Sequence, residues 1–105
     1  MATAAWARSR GERAEQAGLR RGAWYRVVED SGKSWVVLDV HQVEVRIQKY
    51  DLELRADRPT TWSVVHEPHL VCPGCHERRY LSTEPKSLQC PECGHTFLVD
   101  WNDRA

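Results

Sequence analysis

The chain has 105 residues, enough for one small domain or two very small ones, and its 41% hydrophobic and 29% charged residues are ordinary for a soluble globular protein. Fifteen basic and fifteen acidic residues give a formal net charge of zero, which argues against a protein built mainly to neutralise phosphates. No apolar run approaches the roughly 20 residues that span a bilayer, and the basic start lacks the apolar segment of a secretory signal, so we expect a cytoplasmic protein with reduced thiols and no membrane partner.

The first segment, residues 1–21, is polar and is predicted to be a flexible or partly helical arm. Its Ala, Glu, Gln and Arg residues favour helix, but Gly11 and Gly18 interrupt the pattern and few apolar side chains are present to pack a helix face. An alternative interpretation is an electrostatic arm that becomes ordered on an anionic partner. The five arginines that would carry this role are Arg8, Arg10, Arg13, Arg20 and Arg21.

The second segment, residues 22–65, is predicted to form several short β-strands. AWYRVVED and SWVVLDV are rich in aromatic and β-branched residues, and the Asp-Ser-Gly-Lys stretch between them is typical of a tight turn. VEVRIQKYDLELR alternates, with Val43, Val45 and Ile47 on one face, and TTWSVV is the last strand, after a turn at Pro59. Strands this short must curl into a small barrel or pack against a neighbour.

With its start of Gly22, Trp24, Tyr25 and Val27, this second segment resembles the SH3-like small β-barrels. The resemblance rests on that start and on the number and length of the strands. It implies a barrel of the type often appended to transcription and translation proteins, and it identifies no particular binding site.

The third segment, residues 66–105, holds two Cys-x-x-Cys pairs that are separated by fourteen residues. Both cysteines of such a pair can turn inward from one tight turn, and two facing turns supply four sulfurs at the corners of a tetrahedron. Pro73 and Pro91 restrict φ after the first cysteine of each pair, and Gly94 permits the positive φ that points backbone N–H groups at the sulfurs. His76 stands where the first turn is expected to have glycine. The pattern predicts a metal site with the ligands Cys72, Cys75, Cys90 and Cys93.

LVCPGC and LQCPECGHTFLV together resemble the short bacterial zinc ribbons of the form Cys-Pro-x-Cys…Cys-Pro-x-Cys-Gly-His. The resemblance implies one structural Zn²⁺ held by the four cysteines. It implies no particular function, because ribbons of this kind occur in polymerases, ribosomal proteins, enzymes and adaptors. We expect residues 79–81 and 87–89 to pair as a hairpin that brings the two turns together, a third strand over 95–99, and a linker at 66–68.

Other uses of four thiols fit less well but stay open. Structural disulfides are disfavoured in a reducing compartment and would close small, strained rings. Thioredoxin-like chemistry requires one Cys-x-x-Cys pair at the start of a helix, and neither pair here is followed by a helical pattern. A rubredoxin-like iron site would have a longer segment between the two pairs. A zinc site that releases its metal on oxidation is a further alternative, because exposed thiolates oxidise.

The sequence gives no sign of an enzyme or of a small-molecule substrate. Four cysteines leave a metal ion without an open coordination position, and the motifs of serine hydrolases, phosphate-binding loops and metalloproteases are absent from the sequence. His76 and His95, which lie beside the ligand cysteines, are expected to be surface residues near the site.

The sequence therefore predicts a mainly β protein, in which a small SH3-like barrel is followed by a zinc ribbon. The function that we expect is a non-enzymatic interaction module that docks on a larger protein or nucleoprotein assembly, in transcription or translation. One alternative is direct RNA or DNA binding, in which Arg78, Arg79 and Tyr80 would join the five arginines of the arm. The other alternative is a redox-responsive zinc switch. Protein contacts are favoured over nucleic acid because the second and third segments are acidic overall.

Overall fold

The computed structural model describes residues 4–30, 32–66 and 69–105, and in these ranges the chain is mainly β. The strands are β1 (Trp6–Ser9), β2 (Trp24–Asp30), β3 (Trp35–Val40), β4 (Val43–Gln48), β5 (Leu52–Arg55), β6 (Thr61–His66), β7 (His69–Val71), β8 (Arg78–Tyr80), β9 (Ser87–Gln89) and β10 (Thr96–Arg104). A short helix, α1 (Glu12–Gln16), and a 3₁₀ turn (Lys49–Asp51) lie between strands of the first sheet. The strands form two five-stranded sheets, which confirms the predicted mainly β fold class. No helix in the described ranges has the length and apolar character that crossing a membrane would require.

The first sheet has the strand order β4-β3-β2-β1-β5, is antiparallel, and curls into a half-barrel. Successive side chains of a strand point to opposite faces, so the sheet has two different surfaces. One surface carries buried apolar side chains, among them Ala7, Tyr25, Leu38 and Ile47, and forms the main core. The other surface carries tryptophan, arginine and acidic side chains, because these occupy the alternate positions of the same strands.

The N-terminal segment differs from the predicted flexible or partly helical arm. Trp6–Ser9 is the strand β1, which lies between β2 and β5 and pairs antiparallel with both. The helix α1 follows, and Ala14 within it and Leu19 after it are buried in the core. A strand of four residues has too few positions to show alternation in the sequence, and it forms because two neighbouring strands each offer it a free backbone edge. The predicted arm is therefore corrected to a central strand followed by a short helix.

The second sheet has the strand order β8-β7-β6-β10-β9. Its central strand β6 pairs antiparallel with β7 and parallel with β10. The sequence identified this strand as TTWSVV but assigned it to the barrel, whereas the chain passes from the first sheet to the second between Arg55 and Thr61. The assignment was wrong because the partners of β6 lie later in the chain, where a strand pattern gives no information about pairing.

The predicted hairpin between residues 79–81 and 87–89 does not form. The strands β8 and β9 lie at opposite edges of the second sheet, where β8 pairs with β7 and β9 pairs with β10. Most of the strand predicted over 95–99 is present as the first part of β10. Two hairpins on either side of β6 therefore replace the single hairpin that the sequence suggested.

The linker predicted at residues 66–68 falls partly outside the described residues, which exclude 67 and 68. On either side of this gap, His66 of β6 and His69 of β7 are register partners. The described residues thus place β6 and β7 side by side as adjacent strands of one sheet.

The two sheets pack against each other around the loop that precedes β2. Val65 and Val71 of the second sheet are buried in the core of the first sheet. Gly22 lies against both, with a φ of 88°, and a Cβ atom there would be 2.6 Å from Cγ2 of Val65. Only glycine fits this position, since a side chain would meet both a strained backbone and a packed valine.

The second sheet also has a smaller core of its own. Trp62, Val64 and Leu70 are fully buried in it. Cys72 and Cys90 belong to the same buried cluster, so the sulfur chemistry of the chain is embedded in this core.

Candidate metal centre

Each Cys-x-x-Cys pair lies at the turn of a β-hairpin. The first knuckle, residues 72–77, connects β7 to β8, and the second knuckle, residues 90–95, connects β9 to β10. In both knuckles the backbone N–H of the first residue donates to the carbonyl of the last, at 2.8 Å in the first and 2.9 Å in the second. The N–H of the fifth residue donates to the carbonyl of the first residue, at 3.2 Å and 2.8 Å respectively. The repeated sequence spacing therefore produces two copies of one turn.

The two knuckles bring four Sγ atoms together, all within 4.8 Å of one another. The sulfur of Cys72 lies 3.8 Å from that of Cys93, and the sulfur of Cys75 lies 3.5 Å from that of Cys90. Sulfurs at the corners of a tetrahedron, each bonded to a central ion at about 2.3 Å, would be about 3.8 Å apart. The cluster therefore has the size and the donor atoms to hold one metal ion, with two ligands from each knuckle.

Burial and backbone N–H groups set the protonation of the thiols. The N–H of Gly74 donates to Sγ of Cys72 at 3.3 Å. Desolvation nevertheless raises the pKa of the Cys72 thiol. Desolvation together with the neighbouring thiols of Cys90 and Cys72 raises the pKa of the Cys75 thiol further. At Cys90 burial acts in the same direction, but the backbone N–H donors of its own knuckle and the thiols of Cys75 and Cys93 together outweigh it, so the pKa of this thiol is lowered. A metal ion must displace the remaining thiol protons, so its binding weakens as the pH falls.

The four ligand positions differ in exposure. Cys72 and Cys90, the first cysteine of each pair, are buried, whereas Cys93 is half-buried and Cys75 is exposed. Four thiolates fill a tetrahedral shell and leave no position for water or substrate. The donor set therefore fits a metal ion with a structural role.

His76 joins the first knuckle to the first sheet. It has a φ of 67° at the position where Gly94 has a φ of 77° in the second knuckle, so the conformation expected of glycine is present in both. Its ring Nε2 is hydrogen-bonded to the carbonyl of Trp24, and its own carbonyl accepts a guanidinium N–H of Arg20 at 2.8 Å. Burial lowers the pKa of His76, which favours the neutral ring. The expectation of a surface residue is thus corrected for His76, whereas His95 is exposed as predicted.

The structure removes Arg8 from the predicted nucleic-acid contacts. Its side chain is 1% exposed. The guanidinium donates to Oε2 of Glu53 at 2.6 Å and to Oδ1 of Asp103 at 2.9 Å. Another N–H group of the same guanidinium donates to Oγ of Ser63 at 2.8 Å. A buried guanidinium with these partners cannot reach a phosphate, so the prediction is wrong for this residue.

The other predicted contact residues lie in separate places. The exposed ones are Arg10, Arg13, Arg20, Arg21, Arg78 and Tyr80, whereas Arg79 is half-buried. The arginines of the N-terminal segment lie on α1 or in the loops beside it, while the other three residues form β8 at an edge of the second sheet. They do not converge on one strand or one sheet face, and their role stays a prediction.

The sequence reasoning missed a group of side chains on the polar surface of the first sheet. Trp6 of β1 lies directly opposite Arg26 of β2 and Arg55 of β5. The signal that could have revealed this group is the alternation of tryptophan or arginine with apolar residues in WARS, WYRVV and LELR. Alternation assigns side chains to a face of each strand, but it does not say which strands are neighbours.

Comparison with known proteins gives no family from which a function could be taken: no family model, no curated protein and no solved structure matches this chain. The metal centre is therefore assigned from its own geometry and donor atoms.

Proposed function

We propose that this protein is a non-enzymatic, zinc-binding interaction module that docks on a larger protein or nucleoprotein assembly in transcription or translation. The observation that carries the proposal is the cluster of four sulfurs, all from cysteine, within 4.8 Å of one another. Zn²⁺ suits four thiolates in a tetrahedron, and such a shell has no open position at which a substrate could react. The ion then holds the two knuckles together, and recognition falls to the surface of the folded chain.

Exposed apolar side chains support a binding role. The large hydrophobic residues with the greatest exposure are Tyr80 at 68%, Leu98 at 64%, Tyr50 at 63%, Val43 at 61% and Val28 at 43%. Tyrosine is enriched among the residues that dominate protein interfaces. Tyr80 lies on the edge strand β8, where backbone groups are also free to pair with a partner.

A pull-down from a lysate of the source organism tests this function. The zinc-loaded, tagged chain is presented to two halves of one lysate, of which one half is treated with nuclease. We expect a defined set of proteins to be retained from both halves. Cys90→Ser should lose them, because the knuckles come apart, and the matched control His95→Ala should keep them, because this exposed histidine is not a ligand.

Two results would contradict the proposed docking on protein. Partners that disappear after nuclease treatment would make nucleic acid the direct ligand. An absence of specific partners in both halves, from a chain shown to carry zinc, would argue against an interaction module altogether.

A further inference from the structure

The polar surface of the first sheet carries exposed arginines around one tryptophan. Trp6 of β1 is the register partner of Arg26 on one side and of Arg55 on the other, and register partners share a face of the sheet. Arg58, in the connection to the second sheet, places its Cζ atom 5.5 Å from the centroid of the Trp6 ring. The indole is half-buried and the three arginines are exposed. We call these four residues the Trp6 cluster.

The arginines of the Trp6 cluster keep their charge available for a ligand. The ion pairs that Arg8 makes with Glu53 and Asp103, and that Lys49 makes with Asp30, include none of these three arginines. The acidic residues of the same face are Asp39, Glu44 and Glu53: Asp39 is the register partner of both Arg26 and Glu44, and Glu53 is already bonded to Arg8. Arg55 also lines a separate cleft with Asp100 and Asp103. The Trp6 cluster thus sets three guanidinium groups, none of them in those ion pairs, around one indole.

A cleft of about 310 Å³ opens beside the Trp6 cluster, between the β3–β4 turn and the first knuckle. From the sheet it is lined by Trp6, Trp24, Arg26 and Asp39, of which Trp24 is 1% exposed. One wall of the cleft is thus the half-buried Trp6, and its polar residues include both a donor and an acceptor of hydrogen bonds. The indole N–H of Trp24 is buried without a hydrogen-bond partner. This combination matches a small planar group with mixed donors and acceptors at its edge.

We propose that the Trp6 cluster and the adjoining cleft bind single-stranded nucleic acid, an inference that rests on the proposed function because it names the nucleic-acid component of the docked assembly. Backbone phosphates contact Arg26, Arg55 and Arg58, and an unpaired base stacks on the indole of Trp6 or enters the cleft. There Asp39 accepts hydrogen bonds from the base edge and Arg26 donates to it. A duplex hides the faces of its bases, and an acidic peptide would use the arginines but leave the aromatic cleft unfilled.

Fluorescence anisotropy tests this inference with the purified, zinc-loaded full chain. The probes are labelled, mixed-sequence oligonucleotides of single-stranded RNA and of single-stranded DNA. The test variant combines Arg55→Gln with Arg58→Gln, and the matched control combines Lys33→Gln with Lys86→Gln, which removes the same charge from exposed residues elsewhere. We expect the test variant to bind at least about tenfold more weakly and the control to change less than about twofold at low salt. The slope of log affinity against log salt should fall by about 1.4 for the test variant, since each phosphate contact on a single strand accounts for about 0.7.

Several results would overturn the inference. One is an equal loss of affinity in the two double variants, and another is that neither single strand binds the unmodified chain. A third is that polyglutamate, or the duplex form of the same oligonucleotide, binds more tightly than the single strand does. Unchanged zinc content and backbone NMR spectra verify that the variants fold, and Arg26→Gln alone replaces the test variant if its spectrum changes. The pull-down reports separately on docking: nuclease-resistant protein partners without oligonucleotide binding would remove this inference and leave the proposed function standing.

Discussion

A buried guanidinium ties strands of both sheets together. Arg8 of β1 is hydrogen-bonded to Glu53 of β5, Ser63 of β6 and Asp103 of β10, and its Cζ atom lies 4.6 Å from the centroid of the Trp24 ring. Burial alone would lower the pKa of Arg8, but the hydrogen bonds and charges of the two carboxylates outweigh it and raise the pKa. The charge is buried only because each side of the guanidinium has a partner.

Replacing this arginine should destabilise the fold. Arg8→Met leaves Asp103 without its cation and removes three hydrogen-bond partners, and breaking a buried ion pair from one side costs about 3 to 5 kcal/mol. Because the Glu53 side chain is 46% exposed and partly screened by solvent, we expect a loss below that range, about 2 to 3 kcal/mol. Urea unfolding of the zinc-loaded protein, followed by tryptophan fluorescence, measures the change. The control Arg10→Met, at an exposed residue, should stay within about 0.5 kcal/mol, and equal unfolding midpoints for the two variants would contradict the assigned role.

The cysteines could be predicted from the sequence, whereas the buried polar contacts could not. The four cysteines could be predicted as one cluster because each pair is local, and a turn of two intervening residues already fixes its geometry. The roles of Arg8 and His76 could not be predicted. Their partners lie 45 to 95 residues away for Arg8 and 52 residues away for His76, and no spacing rule connects positions so far apart.

At the scale of elements, strand positions were easier to predict than strand partners. The segments predicted as strands in the barrel are present as β2, β3, β4 and β6, because alternation and β-branched residues are properties of each segment alone. The pairing of β8 with β7 and of β9 with β10, on either side of β6, depends on the whole chain. This pairing places one knuckle at the turn of each hairpin. The metal ion would therefore join two hairpins whose strands do not pair directly with each other.

Loss of one ligand should therefore unfold the second sheet. Structural zinc contributes on the order of 10 to 16 kcal/mol in small zinc-binding peptides, which is as large as the whole stability of a typical domain at about 5 to 15 kcal/mol. In Cys90→Ser we expect the backbone NMR signals of β7 to β10 to lose their dispersion. The first sheet should persist with reduced stability, because Val65 and Val71 belong to its core.

The matched control for this experiment is His95→Ala, which changes an exposed residue of the second knuckle that is not a ligand. Its spectrum should remain that of the unmodified protein. A spectrum of Cys90→Ser with native dispersion throughout the second sheet would show that the fold does not depend on the metal.

At the scale of the whole molecule, the two sheets form one body. The radius of gyration is 13.5 Å, close to the value of about 13 Å typical of a compact chain of this length, and the principal extents are 41 × 26 × 25 Å. The sequence suggested a barrel and a ribbon joined by a linker. The structure connects them through Arg8, through Gly22 packed on Val65 and Val71, and through His76 bonded to Trp24. The metal centre is thus coupled to the first sheet by direct contacts, which composition and motifs could not reveal.

X-ray absorption at the zinc edge of the purified chain identifies the metal and counts the atoms bonded to it. We predict one zinc ion per chain with four sulfur neighbours at about 2.3 Å and no lighter ligand. A first shell that contains nitrogen or oxygen, whether from His76, His95 or water, would contradict the closed four-thiolate centre. A chain that folds without stoichiometric zinc would contradict the structural role of the metal.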